Sequence, residues 1–320
     1  MNEHTTRWDY LTNFQSSVHS QRFLSKCYEK AQLDKADAQS YNNSYSFIYY
    51  LEHGRLYVDQ AEQCPIYIKP ILLFYGLVNL IKACLLTVDP FYPATTGVLA
   101  HGLSSRKRKK RNYFFFQDEV KIQKNGLFSH FSHQMFHVKH LEGDKLVMGN
   151  LLKQIPELDE AFKFIRGAEN FYRLEKSDET YKLPSNLPGQ YKMSDSEFKE
   201  YLSSKNNGIQ WLQDRELAFS LNAPSLVPFF APFRYDIYTN TLCLSREQSE
   251  DDALSELIIY YALLYNLSMI ARYETEWWSE LIKHTPNQDF PLITKFLSIS
   301  QNKIPLLISD YLRCVEAGLE

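Results

Sequence analysis

The chain of 320 residues is 44% hydrophobic and 23% charged, and it carries a formal net charge of −3. This length is enough for one large domain or two ordinary ones, and the hydrophobic content excludes an intrinsically disordered chain. The slightly acidic balance also excludes a protein that coats nucleic acid with its whole surface.

The cysteines and the amino terminus predict a cytoplasmic protein. The five cysteines form no C-x-x-C pair, which is typical of reduced thiols rather than of disulfides or a zinc ribbon. The sequence does not open with the basic and apolar stretches of a secretory signal. The most apolar window, 66–88, contains Lys69, Asn79 and Lys82. Because a lysine within a membrane span is costly, we expect a buried helix there and no membrane partner.

Apolar residues recur at helical spacing through much of the chain. Pro70 suits the first position of a helix, which we expect to be apolar on nearly all faces and to end near Asp89-Pro90. A second long helix should follow the capping pattern at 249–252 and end near His284. The same periodicity predicts further helices over 16–33, 40–61, 288–299 and 304–317.

Two short hairpins should interrupt these helices. Val120–Ile122 leads into Asn125-Gly126, a strong tight-turn signal, and the runs 235–238 and 241–244 alternate around a weaker turn signal. The predicted fold class is therefore mainly α, a helical bundle with two short β-hairpin insertions.

Composition also suggests how the chain is organised. Residues 1–145 form an amino-terminal helical region, residues 146–222 a helical and polar connection, and residues 223–320 a carboxyl-terminal helical region that we expect to pack with the first. Within the connection, residues 174–208 are polar and contain Leu-Pro twice. This pattern predicts a surface excursion with one short helix near 194–204.

Most catalytic and cofactor motifs are absent from the sequence. It contains no glycine-rich nucleotide loop, no H-E-x-x-H, no G-x-S-x-G and no EF-hand loop. The sequence therefore predicts no cofactor, and any catalytic site must be assembled from dispersed residues.

The sharpest local feature, which we call the basic run, consists of Arg106, Lys107, Arg108, Lys109, Lys110 and Arg111. Such a run can neutralise phosphates of RNA, DNA or a nucleotide, and the aromatic residues 113–116 that follow suit base stacking. A solvated loop or a patch that docks on an acidic protein is the commoner outcome for a short charge run. A buried strand accounts for 113–116 equally well.

Five of the nine histidines fall in one short stretch: His101, His130, His133, His137 and His140. If residues 128–140 form a helix, the last four share one face and can bind a metal or act in acid–base chemistry. If the segment is the return strand of a hairpin, His130 and His133 point to opposite faces. Because no carboxylate or thiol is interleaved, we expect ordinary surface or interface histidines and no metal site.

Arg272 lies on the otherwise apolar stripe of the second long helix, four residues after Ser268. A partly buried arginine can grip a carboxylate or a phosphate, so Arg272 joins the basic run as a candidate for binding phosphate or a partner. A structural ion pair with an acid such as Glu276 is the commoner arrangement.

The most distinctive segments are Leu263–Ser268, Ala271-Arg272-Tyr273, Trp278, Ile293–Ser300 and Lys303–Pro305, together with Ser44–Tyr50, Pro70–Leu86 and His101-Gly102. They resemble the YaaC-like family of cytosolic bacterial proteins over most of the chain. Genes of this family often lie next to the gene of IMP dehydrogenase. The resemblance therefore implies that enzyme as a candidate protein partner.

The helix pair followed by His101-Gly102 also resembles, more distantly, the HEPN superfamily of helical bundles, which includes ribonucleases and their inactive partners. That resemblance implies an HEPN-like bundle, a homodimer, and His101 or His130 as catalytic residues. Active members carry arginine and, four to six residues later, histidine, and none of the arginines here has that spacing. Asn125 precedes His130 at the spacing but lacks the cation that would stabilise a pentavalent phosphate.

The first functional expectation is a non-enzymatic binding or regulatory protein that engages a nucleotide, RNA or an acidic partner protein through the basic run. The alternative is a ribonuclease-like enzyme of the HEPN type with a degenerate active site. A structural partner of a metabolic enzyme is the third.

Overall fold

A computed structural model of the chain describes residues 7–105, 113–206, 208–212, 217–221, 232–248, 254–285 and 287–319. Of these residues, 60% lie in helices and 12% in strands, which confirms a mainly helical protein. The chain forms two compact units. Unit 1 consists of Met1–Gly149 and Leu257–Glu320, and unit 2 consists of Asn150–Glu256.

The α-helices in the described part are α1 (Asp9–Thr12), α2 (Ser17–Lys30), α3 (Ala36–Gln63), α4 (Lys69–Leu85), α5 (Leu127–Phe136), α6 (Met148–Lys153), α7 (Asp159–Arg166), α8 (Leu187–Gln190), α9 (Asp195–Lys205), α10 (Glu256–Tyr273), α11 (Thr275–His284) and α12 (Asp289–Ala317). The strands are β1 (Leu103–Ser105), β2 (Glu119–Ile122), β3 (Lys145–Val147), β4 (Phe171–Arg173), β5 (Glu175–Ser177), β6 (Thr180–Lys182), β7 (Ile209–Trp211), β8 (Ala218–Leu221), β9 (Phe233–Asp236) and β10 (Thr241–Ser245).

Helices α3 and α4 pack closely in unit 1, and both were predicted. A Cβ on Gly54 of α3 would lie 2.5 Å from Cγ of Leu80, and one on Gly76 of α4 would lie 3.2 Å from the carbonyl oxygen of Gly54. The two helices therefore cross where neither carries a side chain. Helix α4 is buried on most of its faces, as its apolar sequence predicts. No helix in the described ranges is long and apolar enough to cross a membrane.

The carboxyl-terminal helices differ from the prediction. The capping pattern at 249–252 lies outside the described residues, and the long helix ends at Glu274, whose φ of −116° and ψ of 49° are not helical. After this break, Trp278 of α11 is buried and its Nε1 donates a hydrogen bond to the carbonyl oxygen of Tyr67 at 3.0 Å.

The two short helices predicted over 288–299 and 304–317 are one helix, α12, with Pro305 in its interior. An interior proline costs roughly 3 kcal/mol because it removes one backbone hydrogen bond. The neighbouring Ile304, Leu307 and Ile308 are fully buried, and their burial outweighs that cost.

The prediction of a hairpin through Asn125-Gly126 is wrong. Strand β2 pairs antiparallel with β1 and with β3, and α5 follows Gly126 directly. Gly126 has a φ of +135°, and a Cβ on it would lie 2.3 Å from Cα of Gly102. The glycine is needed where two backbone segments touch, and this contact opens a helix instead of a return strand.

Unit 2 contains more β structure than the sequence predicted. The predicted hairpin of β9 and β10 is confirmed and is joined by β4, while β5, β6, β8 and β7 form a second sheet. The predicted helix near 194–204 is α9, with Ser194 and Glu197 forming a capping box. The segment 174–208 is therefore no mere surface excursion, because Phe198 and Leu202 are fully buried in the core of unit 2.

Candidate functional site

The basic run lies outside the described residues, but the chain on both sides of it is placed in unit 1. Ser105 ends β1, and the ring of Tyr113 packs edge-on against Trp277 with centroids 4.6 Å apart. Phe115 is fully buried, and its backbone N–H donates to Oδ2 of Asp289 at 2.6 Å. Tyr113 and Phe115 are thus packed into the protein, and Phe115 lies in a 3₁₀ turn at 115–117 rather than in a strand, whereas Phe114 is 41% exposed.

The described chain does not gather the histidines at 130–140 into one site. Helix α5 ends at Phe136, so neither alternative for this segment holds: the four histidines do not share one helical face, and His130 and His133 are not on a return strand. His137 adopts a left-handed conformation with a φ of +56°. His140 packs against Phe128 instead, with ring centroids 5.1 Å apart. Within the described ranges, no group of three or more His, Cys, Asp or Glu side chains is placed to hold a metal ion.

His130 has a separate environment at the end of α4. Its Nε2 lies 2.8 Å from Oδ2 of Asp89, and both side chains are largely buried. The ring of Tyr92 stacks on the His130 ring with centroids 5.7 Å apart and an interplanar angle of 26°. Because a carboxylate only accepts hydrogen bonds, Nε2 of His130 donates to Oδ2 of Asp89.

His101 lies against α4 and α10, just before the contact of Gly102 with Gly126. Its ring centroid is 5.0 Å from that of Phe74, 6.0 Å from that of Tyr75 and 5.9 Å from that of Tyr265. Partial burial lowers the pKa of His101, and the positive charges of Arg272 and Lys82 lower it further. The half-buried imidazole is therefore held in its neutral form.

Arg272, at the end of α10, lies beside His101. Its Nε donates to the carbonyl oxygen of Ser268 at 3.2 Å, and its Nη1 donates to the hydroxyl of Tyr75 at 3.2 Å. The guanidinium lies 5.9 Å from the ring centroid of Tyr75 and 5.2 Å from that of Tyr273. The side chain is half-buried, but the expected ion pair with Glu276 is not formed.

Lys82, the third member of the group, lies two turns after Tyr75 along α4, and its charge acts on His101. Its Nζ lies 5.6 Å from the ring centroid of Tyr50 on α3, and partial burial lowers its pKa. Tyr57 of α3 packs against Tyr75 with centroids 6.2 Å apart. We refer to Lys82, His101 and Arg272 as the cationic cluster, since each can carry positive charge.

The cationic cluster has the chemistry of an anion site. Within the described residues, no carboxylate lies within ion-pair distance of Lys82 or Arg272. Both cations are partly withdrawn from water, where an opposite charge gains most. Tyr50 and Tyr57, both from α3, place their rings beside Lys82 and Tyr75 respectively.

Sequence reasoning identified two of the three clustered side chains, Arg272 and His101. It missed Lys82, although a lysine on an almost wholly apolar helix was a usable signal. It also missed Tyr50 and Tyr75, because only the crossing of α3 and α4 brings them beside the cations. His130 does not belong to the cationic cluster.

A cavity of about 810 Å³ lies in unit 2, lined in part by Arg173, Glu175 and Lys182. Arg173 is committed to Asp159 and Asp236, with N–O distances of 3.4 and 3.1 Å. None of the side chains predicted to be functional lines this cavity, and its charged residues are of mixed sign. We therefore place the candidate site at the cationic cluster.

Comparison with known proteins gives one match. No curated protein and no solved structure matches the chain significantly. The model of the family described as YaaC-like protein matches residues 12–312, which include unit 2, most of unit 1 and every residue of the cationic cluster. This chain therefore belongs to the YaaC-like family.

Proposed function

We propose that this protein is a non-enzymatic binding protein whose ligand carries phosphate, as a nucleotide or RNA does. The observation that carries the proposal is the pair of half-buried cations, Lys82 and Arg272, which no carboxylate neutralises within the described residues. A ligand phosphate beside them would supply the missing negative charge.

The energetic argument is electrostatic. Partial burial already disfavours the charged form of Lys82 and of His101. Two unit charges about 4 Å apart attract by about 4 kcal/mol at an effective dielectric constant of about 20. A phosphate beside either cation would therefore offset part of its desolvation, and it would also favour protonation of His101.

The basic run has a second role in this proposal. Its six cations follow β1 directly in the sequence, and β1 begins two residues after His101. A concentration of charge acts over about one Debye length, roughly 8 Å at physiological salt, and speeds the encounter with an anion. We propose that the run attracts the phosphate ligand and that the cationic cluster holds it.

Two other proposals give different results in the same experiments. An acidic partner protein, with IMP dehydrogenase as the candidate implied by the family, would bind through the basic run and would not need Lys82 or Arg272. A ribonuclease-like enzyme on an HEPN-like bundle would degrade the RNA that it retains.

Direct binding measurements test the proposal. Titration of the full chain with nucleotides and a short single-stranded RNA should show binding that Arg272→Gln and Lys82→Gln each weaken about tenfold or more, since each removes a charge-assisted contact. The matched controls are Arg22→Gln and Lys26→Gln, which remove the same charges from exposed positions on α2.

The controls should bind as the wild type does. Equal affinity in all four variants would overturn the cationic cluster as the site. Loss of intact RNA during the titration would instead support the ribonuclease-like enzyme.

A further inference from the structure

Tyr92 carries a buried hydroxyl without a hydrogen-bond partner. The residue is 5% exposed, and its hydroxyl oxygen contacts neither a donor nor an acceptor among the described residues. Buried polar groups are nearly always paired, and an unpaired one costs about 1–3 kcal/mol. A protein gains nothing in folding from such a group, so an unpaired hydroxyl beside a candidate site points to a ligand.

Two polar groups near Tyr92 also lack a hydrogen-bond partner among the described residues. Burial raises the pKa of Tyr92, and the nearby Tyr50 hydroxyl and Asp89 carboxylate raise it further. The Tyr50 hydroxyl has no hydrogen-bond partner in the described part of the chain, and Nδ1 of His130 has none either. The two hydroxyls are neutral at physiological pH, because burial raises the pKa of both, and each can donate and accept a hydrogen bond.

Tyr50 lies near both Tyr92 and Lys82 of the cationic cluster. One face of its ring meets Nζ of Lys82, 5.6 Å from the centroid, and its hydroxyl end lies near Tyr92. The site therefore has a cationic end, at Lys82 and Arg272, and a hydrogen-bonding end at the uncharged hydroxyls of Tyr50 and Tyr92. A ligand that fills both ends must itself have an anionic part and a neutral polar part.

We infer that the ligand is a nucleotide, whose phosphate lies on the cationic cluster and whose base or ribose is hydrogen-bonded by the hydroxyl of Tyr92. This inference rests on the proposed function and narrows it from phosphate-bearing ligands in general to one that also offers neutral polar groups. A nucleobase has the donors, the acceptors and the flat π-face that suit tyrosine side chains. An inorganic phosphate would leave Tyr92 unpaired.

The test compares Tyr92→Phe with the wild type, using AMP, GMP, CMP, UMP and inorganic pyrophosphate as probes in calorimetric titrations. The variant keeps the ring that stacks on His130 and removes only the hydroxyl. The best-bound nucleotide should bind about five- to tenfold more weakly to Tyr92→Phe, which corresponds to one lost hydrogen bond. The affinity for pyrophosphate should not change. Tyr49→Phe, on the exposed side of α3, removes a hydroxyl from solvent and should leave both affinities unchanged.

Folding gives an independent readout. Without ligand, Tyr92→Phe should melt at the same temperature as the wild type or higher, because the variant no longer buries an unpaired hydroxyl. Unchanged nucleotide affinity in Tyr92→Phe, or equal losses for nucleotide and pyrophosphate, would overturn the inference and leave the proposed phosphate site standing. If RNA binds tightly while no mononucleotide binds, the inference fails in favour of a polynucleotide ligand. If the wild type binds none of these probes, the proposed function itself fails.

Discussion

The positive charges of Lys82 and Arg272 disfavour protonation of His101. Lys82 and Arg272 both lower the pKa of His101, and burial acts in the same direction. The ring is surrounded by Phe74 and Tyr75 from α4 and by Tyr265 from α10, and none of these side chains carries a negative charge at neutral pH. An anion that binds beside His101 would raise its pKa and favour its protonated form.

The lowered pKa of His101 predicts how stability depends on pH. In the unfolded chain His101 has its ordinary pKa of 6.5, whereas the folded protein resists its protonation. The contribution of His101 to stability is therefore complete above about pH 6.5 and is lost as the pH falls toward the lower pKa of the folded state. His101→Gln should reduce the drop in melting temperature between about pH 7.5 and about pH 5.5.

His53→Gln, at an exposed position on α3, is the control and should show the same drop as the wild type. The same drop in His101→Gln would show that the folded protein does not suppress protonation of this ring.

Helices α3 and α4 set the positions of the tyrosines around the cations. Tyr50 and Tyr57 come from α3, Tyr75 and Lys82 come from α4, and the helices meet at Gly54 and Gly76. The spacing between the Tyr57 and Tyr75 rings, with centroids 6.2 Å apart, depends on this close approach. A wider crossing would separate the aromatic groups from the cations.

The crossing predicts an unusual effect of alanine. Within a helix, Gly→Ala normally stabilises by up to about 1 kcal/mol. At Gly54 the new Cβ would lie 2.5 Å from Cγ of the fully buried Leu80, and at Gly76 it would lie 2.9 Å from Cγ2 of Val58. Gly54→Ala and Gly76→Ala should each destabilise by about 1–3 kcal/mol, which is the usual cost of overpacking a core.

Denaturant unfolding measures this change, with Gly189→Ala in α8 as the control. A Cβ on Gly189 has no atom within 4 Å, so this control should be neutral or stabilising. Alanine that is tolerated equally at all three positions would mean that the helices can separate without cost.

The sequence predicted α3 and α4 well because their apolar residues recur with one period over many turns. It failed where one local sequence signal is compatible with two different structures. Asn125-Gly126 is typical of a hairpin, yet Gly126 is required by its contact with Gly102, which nothing local reveals. Pro305 normally ends a helix, but burial of its neighbours keeps α12 continuous.

The candidate site was only partly predictable for a related reason. Arg272 and His101 stand out in the sequence, but they are 171 positions apart and belong to no common motif. Their proximity depends on the packing of α10 against α4, with the hydroxyl of Tyr261 donating to the carbonyl oxygen of His101 at 2.8 Å. Such contacts form only in the folded protein, so no spacing of residues in the sequence indicates them.

Charge is unevenly distributed along the whole chain. The protein has a net charge of −3, and removing the six cations of the basic run would leave −9. A protein of that charge repels phosphates at long range, even if the cationic cluster attracts them at short range. The basic run should therefore act mainly on the rate of association and on its dependence on salt.

Neutralising the basic run with Ser and Gln tests this role. Folding should stay nearly intact, because six adjacent like charges cannot all be buried and paired. The association rate constant for single-stranded RNA, measured by stopped flow, should fall about tenfold or more at low salt and become nearly independent of salt, since the variant loses the same electrostatic attraction that salt screens.

A second variant with the same net charge of −9 separates the position of the charges from their number. It keeps the basic run and neutralises six exposed cations that are scattered along the chain: Arg22, Lys26, Lys35, Lys124, Lys139 and Lys283. If the basic run attracts the ligand locally, this variant should retain most of the fast, salt-dependent association of the wild type. Equal slowing in the two variants would show that only net charge matters and that the basic run is a solvated loop. A dissociation rate that rises only in Arg272→Gln and Lys82→Gln would then assign ligand retention to the cationic cluster alone.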